Sequence, residues 1–247
     1  MMLISIKNEA NNTLVLDEMH GYAVTDVQGL APAMANINTT PTAGSDGSLF
    51  NSAMIPQRNI VITVHILPDI EAHRQALYAF LAPKRQITLY LKDGVRQAHI
   101  GGRVESFEGT FYTADEVFSV SIICTEPYFL DDTDTEKNVT TGNNSVDNDG
   151  DADAGFDLEL TATGTSASIE IETSTGALTI AKSIVSADKI SICTKPGKFK
   201  TTVNGSNVIN LVTIQDGIPH IIAGGDTLRI TGNVSGTVTY TEQYMGM

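Results

Sequence analysis

Several residue types that mark particular protein classes are scarce in this sequence. It contains no tryptophan, and 29 acidic residues outnumber 15 basic ones, which gives a net charge of −14. Binding to the phosphate backbone of nucleic acids depends on clustered Lys and Arg, as does attraction to an anionic membrane surface. The shortage of basic residues therefore argues against both partners, and we expect no sequence-specific contact with nucleic acid.

Long hydrophobic runs and cysteines are scarce as well. No apolar run approaches the roughly 20 residues of a membrane-spanning helix, so no membrane insertion is expected. The first residues lack the basic stretch and apolar core of a secretory signal. The two cysteines, Cys124 and Cys193, fall in predicted strands of different domains and are interpreted as buried, reduced thiols. These features predict synthesis in a reducing cytoplasm.

Motifs for metal binding and catalysis are also missing. The segment from Asp147 to Asp153 alternates aspartate with other residues, as calcium loops do. The EF-hand pattern requires glycine at its sixth position and glutamate at its twelfth, where this sequence has Ala152 and Leu158. The histidines are scattered, and neither a nucleophile elbow nor a nucleotide-binding glycine loop occurs. We therefore predict no metal, no cofactor and no enzymatic activity.

Strand-forming alternation is abundant in the first half of the chain. From Arg58 to Ile66 every second residue is apolar, which is the pattern of a half-buried strand. One helix is predicted between Asp69, as its N-cap, and Pro83. Asp93-Gly94 predicts a type I′ hairpin turn. The strands predicted in this half are 2–7, 13–17, 22–30, 58–66, 86–92, 95–107 and 116–125.

The segment from residue 30 to 57 has no strand or helix period and is rich in Gly, Pro, Asn, Ser and Thr. Loops of this length are uncommon inside compact domains unless they are functional or disordered. Its apolar residues have no evident local partner, so the segment is either an interface with another chain or a mobile surface loop. The residues predicted to form a subunit interface are Leu49, Phe50, Met54, Ile55 and Arg58.

The composition changes after residue 130. Residues 131–155 carry eight acidic side chains and one lysine, Lys137, which is typical of a solvated linker between domains. Residues 156–247 then alternate apolar and polar residues between closely spaced turns, as all-β sandwiches do. The sequence therefore predicts a mainly β protein with three segments: a domain at 1–130, a linker at 131–155 and a β-sandwich at 156–247.

Five stretches, in this order and spacing, resemble the siphovirus distal tail protein family. The similarity spans nearly the whole chain, without the large insertion that carries a sugar-binding module in some members. The stretches are Ser45-Asp46-Gly47, Cys124-Thr125-Glu126-Pro127-Tyr128-Phe129, Asn148-Asp149-Gly150-Asp151, Gly224-Gly225-Asp226-Thr227-Leu228-Arg229-Ile230 and Val238-Thr239-Tyr240-Thr241-Glu242-Gln243-Tyr244.

The resemblance implies a structural protein at the tip of a non-contractile phage tail, made in the host bacterial cytoplasm. Its N-terminal domain, β-sandwich or split-barrel-like with one helix, would build a homo-oligomeric ring, usually a hexamer, around a channel for DNA. Its C-terminal domain would be a galectin-like β-sandwich that projects outward. The implied partners are the tail tube protein above the ring and the tail-associated tip protein below it.

Two alternatives remain open from the residues alone. The C-terminal sandwich could bind host cell-wall glycans, which would make the chain a carbohydrate-binding protein. A secreted accessory of a glycoside hydrolase is the other alternative, although the missing signal segment disfavours it.

Overall fold

A computed structural model describes residues 2–110 and 116–247 of the chain. The chain divides into two compact units: unit 1 contains residues 1–130 and 245–247, and unit 2 contains residues 131–244. Among the described residues, no helix is long and apolar enough to cross a membrane.

Unit 1 is an antiparallel β structure with a single α-helix among its described residues. A short 3₁₀ turn, Glu18–His20, follows the second strand. The elements in chain order are β1 (Leu3–Asn8), β2 (Thr13–Leu16), β3 (Tyr22–Gln28), β4 (Asn36–Pro41), β5 (Ser48–Met54), β6 (Arg58–Ile66), α1 (Ile70–Leu81), β7 (Gln86–Lys92), β8 (Gln97–Gly109) and β9 (Val117–Cys124).

One curved sheet with the strand order β2-β1-β7-β8-β9-β6-β3 forms the body of unit 1. Helix α1 contacts β1 and β6, and it buries Leu77 and Leu81. The predicted apolar face of β6 is confirmed, and β9 shows the same pattern, because alternate residues of both strands are buried. The core of unit 1 therefore lies between the inner face of this sheet and the helix.

The sequence predicted the positions of α1 and of the β7–β8 hairpin correctly but was wrong about their local geometry. Asp69 adopts a left-handed conformation, with φ of 70°, and its side chain caps nothing. Asp93 has no positive φ, so the turn is not type I′. Instead, the Asp93 carboxylate accepts hydrogen bonds from the backbone N–H groups of Val95 and Arg96, which closes a longer turn.

Unit 2 consists of β strands and one short 3₁₀ turn, Ile209–Leu211. Its strands are β10 (Phe129–Val146, which begins just before the division), β11 (Phe156–Ala162), β12 (Ile169–Thr173), β13 (Gly176–Ile180), β14 (Lys189–Cys193), β15 (Lys200–Val203), β16 (Ser206–Asn207), β17 (Val212–Gln215) and β18 (Asp226–Tyr244).

The long strand β18 organises unit 2, because its two halves pair with different strands. Residues 234–240 pair with β11, and the sheet extends from β11 through β14 and β15 to β16. Residues 229–231 pair with β12, which pairs on its other side with β13, and β13 pairs with β17. Gly236 is needed at the close crossing with β11, since a Cβ there would lie 1.9 Å from the Glu159 carbonyl oxygen. Both sets of strands contribute to one apolar core.

The predicted acidic linker at 131–155 is wrong for most of its length. Residues 131–146 belong to β10, which lies beside β18, and Val139 and Val146 are buried. The buried Asn148 side chain then donates to the carbonyl oxygens of Ala152 and Ile221. The acidic side chains misled the prediction because those on β10 are exposed or half-buried, and only three residues of that strand, Phe129, Val139 and Val146, are buried.

Candidate assembly surface

The segment predicted as an irregular loop is instead a β-hairpin. Strands β4 and β5 pair with each other and with no other strand among the described residues. Gly44 and Gly47 adopt positive φ values in the connecting turn, where a side chain would be strained. We call this hairpin, residues 36–54, the arm.

The register of the arm assigns its side chains to two faces. Ile37 and Phe50 lie on one face, which also carries Thr39, Pro41 and Ala53. Leu49 and Met54 lie on the opposite face among asparagine, serine and threonine side chains. A bulge at Asn51 shifts the alternation between them, and the Asn51 amide donates to the Thr40 hydroxyl at 2.7 Å. Neither face packs on the body of unit 1, because every arm residue is exposed.

Exposure of large apolar side chains is concentrated on the arm. Phe50 is 62% exposed and Met54 is 70% exposed. An isolated two-stranded hairpin is at best marginally stable in water, and exposed apolar surface of this kind marks interaction sites. The arm thus has the character of a surface that is completed by another chain. The other exposed apolar residues on or beside it are Met34, Ile37 and Leu49.

Three of the five predicted interface residues, Leu49, Phe50 and Met54, lie on the exposed arm. Ile55 lies just beyond β5 and is half-buried. Arg58 does not reach this surface, because it is 4% exposed. The prediction is therefore corrected for Arg58, because unit 1 itself covers this side chain and its backbone supplies the acceptors for the guanidinium.

Arg58 donates hydrogen bonds to four backbone carbonyl oxygens of unit 1. Its guanidinium donates to Gly29 and Ala31, which precede the arm, and to Pro127 and Met245, at distances of 2.5–2.8 Å. Its charged carbon also lies 4.6 Å from the centre of the Phe129 ring, within cation–π range. Burial lowers the pKa of Arg58 from its ordinary value. Arg58 therefore fixes the backbone at the base of the arm.

The described residues contain no group of three or more His, Cys, Asp and Glu side chains placed to hold a metal ion. Cys124 is buried and Cys193 is half-buried, and neither forms a disulfide. Unit 2, which is described throughout, has four aromatic residues, of which Phe156, Tyr240 and Tyr244 are buried. These three are not available to stack on a sugar ring.

Residues 149–244 match the family described as the C-terminal domain of a siphovirus-type tail component. No curated protein matches the chain. Among solved structures, the chain is similar to the Dit protein of phage SPP1, described as a paradigm of the hub adsorption apparatus in phages that infect Gram-positive bacteria. The sequence identity is 16%, the TM-score is 0.72, and the match covers 97% of this chain and 98% of that one.

Two structures of the phage p2 baseplate in its activated conformation, with Ca and with Sr, also match over the full length of both chains. Their identities are 13% and 11%, and their TM-scores of 0.48 and 0.45 do not establish a shared fold. The match to the SPP1 protein does establish one over nearly the whole chain. Residues 149–244 therefore match the siphovirus-type tail component family, and the chain as a whole has a Dit-type fold.

Proposed function

We propose that this chain is a non-enzymatic structural protein at the tip of a siphovirus tail. Copies of it form a ring, most simply a hexamer, that joins the tail tube protein to the tail-associated tip protein and leaves a channel for DNA. The observation that carries the proposal is the Dit-type fold along 97% of the chain. The family match of residues 149–244 supports a tail component independently.

The arm supplies the reason for self-assembly. Its apolar side chains are exposed on both faces, so burying them against another copy removes apolar surface from water. A contact between two different surfaces of identical chains generates a ring when the rotation closes. Unit 1 is therefore the ring-forming part in this proposal, and the interface includes Leu49, Phe50, Met54 and Ile55.

The test replaces Ile37, Leu49, Phe50 and Met54 together with serine and measures the assembly by native mass spectrometry. The unchanged protein is expected to give a closed oligomer with the mass of six chains. The arm variant is expected to stay monomeric with an unchanged circular dichroism spectrum, because none of the four side chains is part of the core.

A matched control changes exposed apolar residues elsewhere, Val95 and Val185, to serine. This control is expected to assemble normally, since both side chains lie outside the arm. An unchanged protein that remains monomeric at every concentration would contradict the ring. An arm variant that assembles like the control would contradict the assignment of the interface.

A further inference from the structure

A groove of about 700 Å³ lies on unit 1 between its first strands and β3. Its floor and walls are mainly apolar, and two of the lining side chains are strongly exposed: Leu3 at 47% and Met19 at 93%. Met19 follows β2 in the 3₁₀ turn, among the polar residues Asp17, Glu18 and His20. A single methionine flanked by polar residues is the feature of the sequence that points to an exposed apolar site here. We call this groove the edge groove.

Both flanks of the edge groove are sheet edges. In the described part of unit 1, β2 pairs with β1 alone and β3 pairs with β6 alone. Unpaired strand edges present backbone groups that can bond to another chain. The bulge between Val24 and Asp26 interrupts the β3 edge, so side-chain packing in the groove is expected to contribute more than a continuous hydrogen-bond ladder.

The arm matches this groove in chemistry. The groove has a mainly apolar lining, and the arm is an extended hairpin whose Ile37 and Phe50 face carries apolar residues with Thr39 and Ser48 and no amide side chain. Residues 34–57 contain no lysine or arginine, so the contact does not depend on ion pairs with the groove's Glu18 and Asp26. The same chain therefore carries an exposed apolar strand face and an exposed apolar groove.

We propose that the Ile37 and Phe50 face of the arm of one copy docks in the edge groove of the next copy. This inference rests on the proposed ring and names the surface that receives the arm. Docking in the neighbouring copy rather than its own makes the contact heterologous, which is the type of contact that closes into a ring.

The test uses two single-cysteine preparations in a Cys193→Ser background, so that buried Cys124 is the remaining native thiol. One preparation carries Thr39→Cys, which lies opposite Phe50 and leaves both Phe50 and Ile37 in place. The other carries Met19→Cys in the groove. The two are mixed, allowed to assemble and treated with a short bismaleimide, and covalent dimers are measured on a denaturing gel.

The expected result is at least several-fold more mixed dimer than with the matched control, in which Val95→Cys replaces Met19→Cys. Val95 is equally exposed, at 93%, but lies in the β7–β8 turn outside the groove. Rings that form without this cross-link overturn the docking site and leave the ring intact. Failure of the unchanged protein to assemble overturns both proposals.

Two further outcomes also decide against the proposal. A chain that carries both Thr39→Cys and Met19→Cys and cross-links only within itself places the arm in its own groove. Displacement of the cross-link by a lysine-rich peptide, with the rings intact, assigns the acidic rim of the groove to a basic partner.

Discussion

At the scale of single residues, Arg58 holds together the backbone segments at the base of the arm. The sequence placed it in a subunit interface. In the structure, backbone carbonyl oxygens surround it, so its role is to hold the start of β6, the residues before the arm and the chain termini of unit 1 together.

Substitution of Arg58 by methionine is expected to lower the free energy of unfolding by about 2–3 kcal/mol, because four partly buried carbonyl oxygens lose their charged donor. Urea denaturation followed by circular dichroism measures this change. The control Arg103→Met, at an exposed position of β8, is expected to change stability by less than about 0.5 kcal/mol. Equal unfolding midpoints for the two variants would contradict the role given to Arg58.

Cys124 provides a pH-dependent prediction. Burial raises the pKa of its thiol from 9.0 to about 11. Because the folded pKa lies above the unfolded one, this thiol stabilises the fold fully below pH 9, and the contribution is lost as the pH rises through 11. At pH 8, iodoacetamide is expected to label half-buried Cys193 at least about tenfold faster than Cys124. Peptide mass spectrometry measures both rates, and denaturant should equalise them.

At the scale of elements, the alternation of apolar residues predicted most of unit 1. Strands β6 and β7 were predicted with their observed bounds, and α1 was predicted within a residue or two. In unit 2, Asn204 and Gly205 form one of the closely spaced turns, between β15 and β16, and both adopt the positive φ that an asparagine-glycine turn favours. The strands and the helix were predictable because each buries one face in its own unit. One-sided burial spaces the apolar residues at the period of a strand or a helix, and the sequence shows that spacing.

The arm and β10 were not predictable for the opposite reason. All residues of β4 and β5 are exposed, so no buried face imposes a period on their sequence. In β10, acidic and polar side chains cover most positions, and only Phe129, Val139 and Val146 are buried. Strand pairing through backbone groups leaves no hydrophobic pattern, and this is why both segments resembled loops.

This difference predicts where a protease cuts the monomer. In the arm variant, proteinase K is expected to cleave first in the arm turn, residues 42–47, which is held by one long backbone hydrogen bond of 3.4 Å. Residues 131–146 are expected to resist, because they are part of a strand inside unit 2. N-terminal sequencing of the fragments locates the first cut. Early cleavage at 131–146 would restore the linker interpretation.

For the whole molecule, the charge balance bears on the proposed passage of DNA. Residues 1–130 carry 13 acidic and 8 basic side chains, so the part proposed to form the ring is acidic. A basic channel would bind the phosphates and hold the duplex, whereas a neutral or acidic wall lets it slide. Among the basic residues, Arg103 already donates to the Lys84 carbonyl oxygen and to the Gln86 side chain.

Isolated rings are therefore expected not to bind duplex DNA in a gel-shift assay, even at a low salt concentration of about 20 mM, where screening is weak. The same assay with Arg96→Ser and Arg103→Ser combined serves as the control. A shift with the unchanged rings that weakens in this double variant would mean that a basic wall faces the channel.

The division of the chain has a consequence for how such proteins diversify. Residues 245–247 return to unit 1 after unit 2, and the Arg58 guanidinium donates both to Pro127, just before unit 2 begins, and to Met245, just after it ends. The point where the chain leaves unit 1 and the point where it returns are therefore both within hydrogen-bonding reach of the Arg58 side chain. Recombination at these points could exchange residues 131–244 as a cassette and preserve the parent scaffold. A lineage could then replace residues 131–244 repeatedly while unit 1 stayed the same.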